Sequence, residues 1–221
     1  MPISDGPDHT ELRAIAERLA RGAGALTVRL RAAGADLDVG VKSTPTDLVT
    51  EVDRASERWL VAELARLRPD DAVLGEEGAS REGTSGVRWV VDPIDGTVNF
   101  LYGLPAYAVS IAAEVDGRTE VGVVLNVATG ELFTAVRGGG AWLTAPGAAA
   151  QQLTGSRPVD LARSLVATGF AYGAEQRRAL GAVVAGLLPE VRDAQPTRRT
   201  SRTSGSSPAT TAPWARRCSA P

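Results

Sequence analysis

Apolar residues recur at helical spacing over residues 11–31, where Leu12, Ile15, Leu19 and Ala23 share a face. That pattern predicts an amphipathic packing helix. A second helix is predicted after Asp53, with Leu60, Leu64 and Leu67 on one side and Trp59 beside them. Asp53 stands where an N-cap belongs, and Pro69 with Asp70 ends the helix. Between the two helices, residues 36–41 begin an extended segment, and residues 42–53 read as a loop containing Pro45 followed by a short strand. Residues 72–74 predict a short strand closed by Gly75-Glu76-Glu77-Gly78, residues 79–86 a polar loop, and residues 87–91 a buried strand. From Tyr107 the period becomes that of strands. Residues 107–115, 120–127, 131–136 and 141–143 predict an antiparallel meander, with Asp116-Gly117 and Ala128-Thr129-Gly130 as turns. Residues 146–152 read as an Ala/Gly linker, 165–168 as a strand, 169–173 as a loop and 174–188 as a helix.

Composition narrows this picture. The chain has 221 residues, 43% of them hydrophobic, enough for one large domain or two small ones with a sizeable core. A net charge of −2 favours neither nucleic acid nor a membrane surface as partner. Residues 1–10 form a polar, acidic leader unlike a signal peptide, and no apolar run is long enough to span a bilayer. Cys218 is the only cysteine, which excludes an internal disulfide and fits a reducing cytoplasm. The only histidine, His9, lies in the leader, which excludes histidine-based triads. Lys42 is the only lysine, against 23 arginines, a bias that fits a GC-rich gene.

After Asp193 the pattern stops. Residues 194–221 contain no Val, Ile, Leu, Met or Phe and no acid, but five arginines; the chain up to 193 is net −7 and the remainder +5. Such a segment cannot bury enough apolar surface to offset its ordering entropy. The arginines are dispersed, with Trp214 the only aromatic, so a disordered basic tail is expected, not a nucleic-acid arm.

The candidate chemistry centres on residues 89–100, Trp-Val-Val-Asp-Pro-Ile-Asp-Gly-Thr-Val-Asn-Phe. Trp89, Val90 and Val91 read as the end of a buried strand, and Asp92 and Asp95 as two carboxylates in the turn after it. Asp, Pro and Gly are ordinary turn residues, so a plain turn is one reading. Carboxylates buried at a strand end, however, need a positive partner. Asp53, Glu76, Asp92 and Asp95 each come just after a predicted strand, where ligands sit in α/β folds. Four such acids suggest a site for a hard cation, Mg²⁺ with oxygen ligands. Taken singly, Asp53 is a helix cap and Glu76 part of a solvated turn. The Thr97 hydroxyl could hold a water, and the Gly96 and Thr97 amides could donate to a phosphate oxygen at a helix start. A glycosidase reading of the paired acids needs one acid of raised pKa and one base at fixed separation. It leaves Gly96-Thr97 without a task.

Four segments carry a family resemblance: residues 42–53, residues 75–78, residues 89–100 with the pattern W-x-x-D-P-I-D-G-T-x-N-F, and residues 105–111. Gly169-Phe170-Ala171-Tyr172 adds a fifth, opening the family's C-terminal half. Over residues 11–193 the chain resembles the inositol monophosphatase family of Mg²⁺-dependent, lithium-sensitive sugar phosphatases. The resemblance implies an α/β fold, an α+β layered sandwich, with its C-terminal part incomplete. It implies that Glu76, Asp92 and the Ile94 carbonyl hold a first Mg²⁺, Asp92 and Asp95 a second, and Asp53 with Glu76 a third through water. Thr97 with Asp53 would orient and deprotonate the attacking water, and Asp95, Gly96 and Thr97 would bind substrate. The implied substrate is inositol monophosphate or a related polyol phosphate, with histidinol phosphate or a nucleotide 3′-phosphate as alternatives. The intact family suggests a homodimer.

Two family features are missing: the substrate-binding Gly-Ser/Thr segment and a W-D-x-A-A-G motif whose aspartate closes the second metal site. Trp214 is followed by Ala215 and Arg216. The expectation is therefore a polar leader at 1–10, a truncated phosphatase domain at 11–193, and a tail at 194–221 translated out of frame. The same loss raises a different class, an inactive remnant that binds metal only weakly.

Overall fold

The computed structural model describes residues 7–33, 40–41, 48–155, 160–171 and 173–196. Its elements run α1 (His9–Ala32), β1 (Gly40–Val41), β2 (Leu48–Val49), α2 (Glu51–Leu67), β3 (Ala72–Gly75), β4 (Ser80–Arg81), β5 (Val87–Asp95) and α3 (Thr97–Tyr102). They continue with β6 (Ala108–Val115), β7 (Arg118–Asn126), β8 (Leu132–Val136), β9 (Gly140–Thr144), β10 (Gln151–Leu153), β11 (Leu165–Thr168), α4 (Ala174–Leu187) and β12 (Asp193–Pro196). This is the mixed α/β architecture expected from the sequence.

The meander from β5 to β10 is antiparallel throughout. β3 joins it in parallel beside β5, and β4 closes the edge. The result is one sheet of eight strands in the order β10-β9-β8-β7-β6-β5-β3-β4. Asp116 and Gly117 both take positive φ, 50° and 77°, the geometry that a two-residue hairpin turn demands. Alternate residues of the central strands, Trp89, Val91, Val109, Ile111, Val121 and Val123, form one buried cluster with Leu12, Leu19, Leu60 and Leu64 of α1 and α2. Each such side chain contributes about 1.5–3 kcal/mol on burial. α1 and α2 are thus held against the sheet by their apolar stripes. α4 buries none of its side chains.

Trp89 needs a partner for its indole N–H in that core. It donates to Asp71 Oδ2 at 2.8 Å. Asp71, only 1% exposed, also accepts from Arg68 Nε at 2.8 Å and from Ser85 Oγ at 2.7 Å. The Asp71 hydrogen bond in turn holds the Arg68 guanidinium above its ordinary pKa. One carboxylate therefore ties the end of α2 and the loop before β5 to the strand that enters the site.

Several local expectations are corrected. β4 lies within residues 79–86, read as loop, and β10 overlaps the residues read as linker. Both are edge strands, Ser80-Arg81 wholly polar and Gln151-Gln152-Leu153 polar but for its last residue, and both form by pairing and not by propensity. β5 does not stop at Val91 but runs on to Asp95. β12 begins at Asp193 and pairs in parallel with β11 up to Pro196, so regular structure passes the boundary that composition suggested. The leader residues 1–6, the loop residues 42–47 and the tail residues 197–221 lie outside the described residues. Among the described residues, no helix is long and apolar enough to cross a membrane.

Replacing Asp71 by Asn keeps the shape but removes the charge facing Arg68. A loss of about 1–3 kcal/mol is expected, read as a lower urea midpoint with an unchanged denaturant slope. An unchanged midpoint would remove Asp71 from this account.

Candidate active site

β5 and β6 stay in register from Val87↔Val115 to Asp92↔Ser110, and then Asp95 pairs with Ala108. One extra residue is therefore accommodated on β5 between Asp92 and Asp95, a β-bulge. Pro93 explains why it falls there, since proline cannot donate to a ladder and is tolerated at bulges. A bulge re-aims the side chains around it. The segment read as a turn is thus a bulged strand end. Asp92 is buried, and its Oδ1 accepts from the Ile94 N–H at 3.2 Å; Asp95 is half-buried.

Gly96 links the bulge to α3 with φ 117°, and a Cβ there would lie 2.8 Å from Tyr107 Cα. Both facts require glycine. Phe100 of α3 is fully buried edge-on to Tyr107, centroids 5.3 Å apart. Arg31, near the end of α1, lies 4.7 Å over the Phe100 ring and donates to the Phe100 carbonyl at 2.6 Å. These contacts fix α3, and with it Thr97.

Asp53 is not the N-cap of α2. Thr50 is, and Asp53 is the third helical residue of a capping box. The Thr50 N–H donates to Asp53 Oδ2 at 2.9 Å, the Thr50 hydroxyl bonds the same oxygen, and the Asp53 N–H donates to Thr50 Oγ1 at 3.2 Å. Asp53 has no solvent exposure. Its Oδ1 accepts from Thr97 Oγ1 at 3.1 Å, and Thr97 Oγ1 is also 3.2 Å from the Ile94 carbonyl. Thr97 Oγ1 thus stands within hydrogen-bonding distance of both Asp53 and Ile94, its one hydrogen going to either acceptor, and the Ile94 N–H bonds Asp92.

Glu76 enters from β3. Its N–H donates to the Val91 carbonyl at 3.1 Å, next to Asp92, while its side chain is exposed. Glu57, one helical turn after Asp53, is a residue that sequence reasoning misses. It is buried and accepts from the Glu77 and Ala79 N–H groups at 2.7 and 2.9 Å. Its spacing from Asp53 on the apolar side of α2, beside Leu60 and Leu64, is the signal that could have found it.

The potential donors are carboxylates and a main-chain carbonyl, all oxygen, which suits a hard cation such as Mg²⁺ in kind. Among the described residues, however, no three acids gather closely enough to form a finished metal cage. The pairwise links Asp53–Thr97, Thr97–Ile94 and Asp92–Ile94 are present. Asp95 belongs to the bulge, and Glu76 is tied to β5 through its main chain. A separate cavity of about 310 Å³, lined by Arg21, Gly130 and residues 144–148, contains none of these residues.

A model of the inositol monophosphatase family matches residues 8–213, reaching well past Asp193. The inositol-1-monophosphatase of Mycobacterium leprae (strain TN) is 47% identical over 207 residues, 87% of this chain and 70% of that protein. The Nus factor SuhB of Escherichia coli (strain K12) is 41% identical over 163 residues, 73% of this chain and 59% of that protein. The solved structure of Mycobacterium tuberculosis SuhB superposes with a TM-score of 0.72 at 40% identity, covering 87% of this chain and 70% of that one.

The contact between Asp53 and Thr97 can be measured by a double-mutant cycle of Asp53→Ala and Thr97→Ala in urea unfolding. A coupling of about 1 kcal/mol is expected. Strictly additive losses would mean that the bond contributes nothing to the fold.

Proposed function

The chain belongs to the inositol monophosphatase family, and we propose that it is a Mg²⁺-dependent phosphomonoesterase acting on inositol monophosphate or a related polyol phosphate. The observation that carries this reading is the Thr97 hydroxyl, set within hydrogen-bonding distance of the buried Asp53 carboxylate and of the Ile94 carbonyl beside Asp92. It links four of the residues that this reading assigns to the site, across one helix start and one strand end.

We assign Glu76, Asp92 and the Ile94 carbonyl to a first Mg²⁺, Asp92 and Asp95 to a second, and Asp53 with Glu76 to an outer role through water. Bound there, Mg²⁺ supplies charge that offsets the phosphate's own and eases the loss of a proton from water. The remaining work falls to the chain. The Gly96 and Thr97 main-chain N–H groups are the donors assigned to the phosphate oxygens, with Asp95 assigned to the polyol. Thr97 accepts a hydrogen bond from the attacking water. As the water's proton moves to Thr97 Oγ1, the hydroxyl passes its own hydrogen to Asp53 Oδ1, 3.1 Å away. Asp53 is buried and already oriented by Thr50, so little reorganisation accompanies that transfer. The P–O bond to the polyol breaks as the water oxygen adds in line, and the polyol oxygen leaves with that electron pair and takes a proton from solvent. Lithium inhibition and a cytoplasmic setting belong to the same reading.

Phosphate release from inositol 1-phosphate tests it, with histidinol phosphate and a nucleotide 3′-phosphate run beside it. Activity should require Mg²⁺, vanish in EDTA and return on adding the metal. Asp92→Asn should lower it by at least about a hundredfold. Equal release by wild type and Asp92→Asn would sink the enzyme reading. No release from any of the three esters would favour a remnant that binds metal without turnover. The unburied side chains of α4 lean that way, as does the absence of a gathered group of three acids among the described residues.

A further inference from the structure

The loop that carries Glu76 is a hairpin connection between β3 and β4, where Leu74 pairs with Ser80. It is closed by the Gly75 N–H donating to the Ala79 carbonyl at 2.7 Å. Its inside is filled by a side chain from another element. The Glu57 carboxylate, 3% exposed, reaches in from α2. Its Oε2 accepts from the Glu77 N–H at 2.7 Å and its Oε1 from the Ala79 N–H at 2.9 Å. Gly75 makes room for it, since a Cβ there would overlap the carboxylate. Both oxygens are thus engaged by main-chain donors that flank Glu76 on its C-terminal side.

Glu57 lies four residues after Asp53, so the two side chains leave the same side of α2 one turn apart. One of them grips Thr97 and the other grips the Glu76 loop. α2 therefore acts as a jig that sets two site elements at once. We propose that Glu57 is a positioning residue for the metal site: it holds the 75–79 loop so that Glu76 is presented beside Asp92. The proposal rests on the assignment of Glu76 and Asp92 to Mg²⁺ made above. Carboxylates bonded to main-chain N–H groups form strong charge-assisted hydrogen bonds, and partners that orient a metal ligand affect affinity without touching the ion.

Mn²⁺ serves as the probe, because its free ion is counted directly by electron paramagnetic resonance and no turnover is needed. The full chain is titrated as wild type, Glu57→Gln, Asp71→Asn and Asp92→Asn, with urea midpoints recorded for each. Glu57→Gln is isosteric but sets an amide N–H₂ against one of the loop's own N–H groups. It should weaken Mn²⁺ binding about tenfold and speed amide exchange at Glu77 and Ala79. Asp71→Asn removes an equally buried carboxylate away from the loop. It should lower the midpoint and leave the Mn²⁺ dissociation constant within about twofold of wild type. Asp92→Asn should lose most binding.

Two results overturn the proposal alone while Asp92→Asn still loses binding. One is Glu57→Gln binding Mn²⁺ as wild type does. The other is Asp71→Asn weakening binding as much as Glu57→Gln. If Asp92→Asn binds as wild type does, the metal assignment itself falls, and the positioning role falls with it.

Discussion

A carboxylate with no exposure to water sits between the first turn of one helix and the first residue of another. The arrangement of the candidate site depends on Asp53 being stable there. An isolated buried carboxylate is too costly to keep. This one accepts from the Thr50 amide and hydroxyl on one oxygen and from Thr97 on the other. The capping box that starts α2 and the bond that orients Thr97 are made by the same group. Helix nucleation and site assembly are thus one local event.

The sheet supplies the other half. β5 runs parallel to β3 and antiparallel to β6, so its C-terminal end is where two kinds of connection meet. The β3 connection brings the Glu76 loop alongside, and the bulge between Asp92 and Asp95 turns the chain toward α3. Gly96 allows that turn to press against Tyr107, and Phe100 anchors α3 beyond it. Far from the chemistry, Asp71 fixes the entry of β5 through Trp89. Strand entry and strand exit are therefore each held by a buried polar contact, and the apolar strand between them is held by packing.

Much of this is legible in the chain. Leu12, Leu19, Leu60 and Leu64 declare the two helices by period, and Asp116-Gly117 declares a hairpin. The misses share a physical cause, which is that tertiary pairing outweighs local preference. Ser80-Arg81 and Gln151-Gln152 have no strand character of their own and become strands only by lying on a sheet edge. Pro93 reads as the end of a strand because it breaks the ladder, but a bulge absorbs that break. The Thr50-Glu51-Val52-Asp53 spacing is itself a capping-box pattern, yet the acid nearest the apolar run draws the assignment of N-cap. Asp53, Asp92, Ile94 and Thr97 can be named from spacing and resemblance, and the structure links them. The place of Glu57 on the apolar side of α2 marks it as a buried acid, but nothing in its spacing names the loop it will meet.

The Thr97 hydroxyl has one hydrogen and two acceptors within reach, Asp53 Oδ1 and the Ile94 carbonyl. It is a rotor with two settings, and only one of them covers the aspartate. Whenever the Ile94 carbonyl is engaged elsewhere, the rotor has a single place to point. The direction of one O–H bond then reports, inside the fold, whether the neighbouring carbonyl is occupied. On the proposed reading, the atom that handles the proton would also register that occupancy, with no moving loop between them.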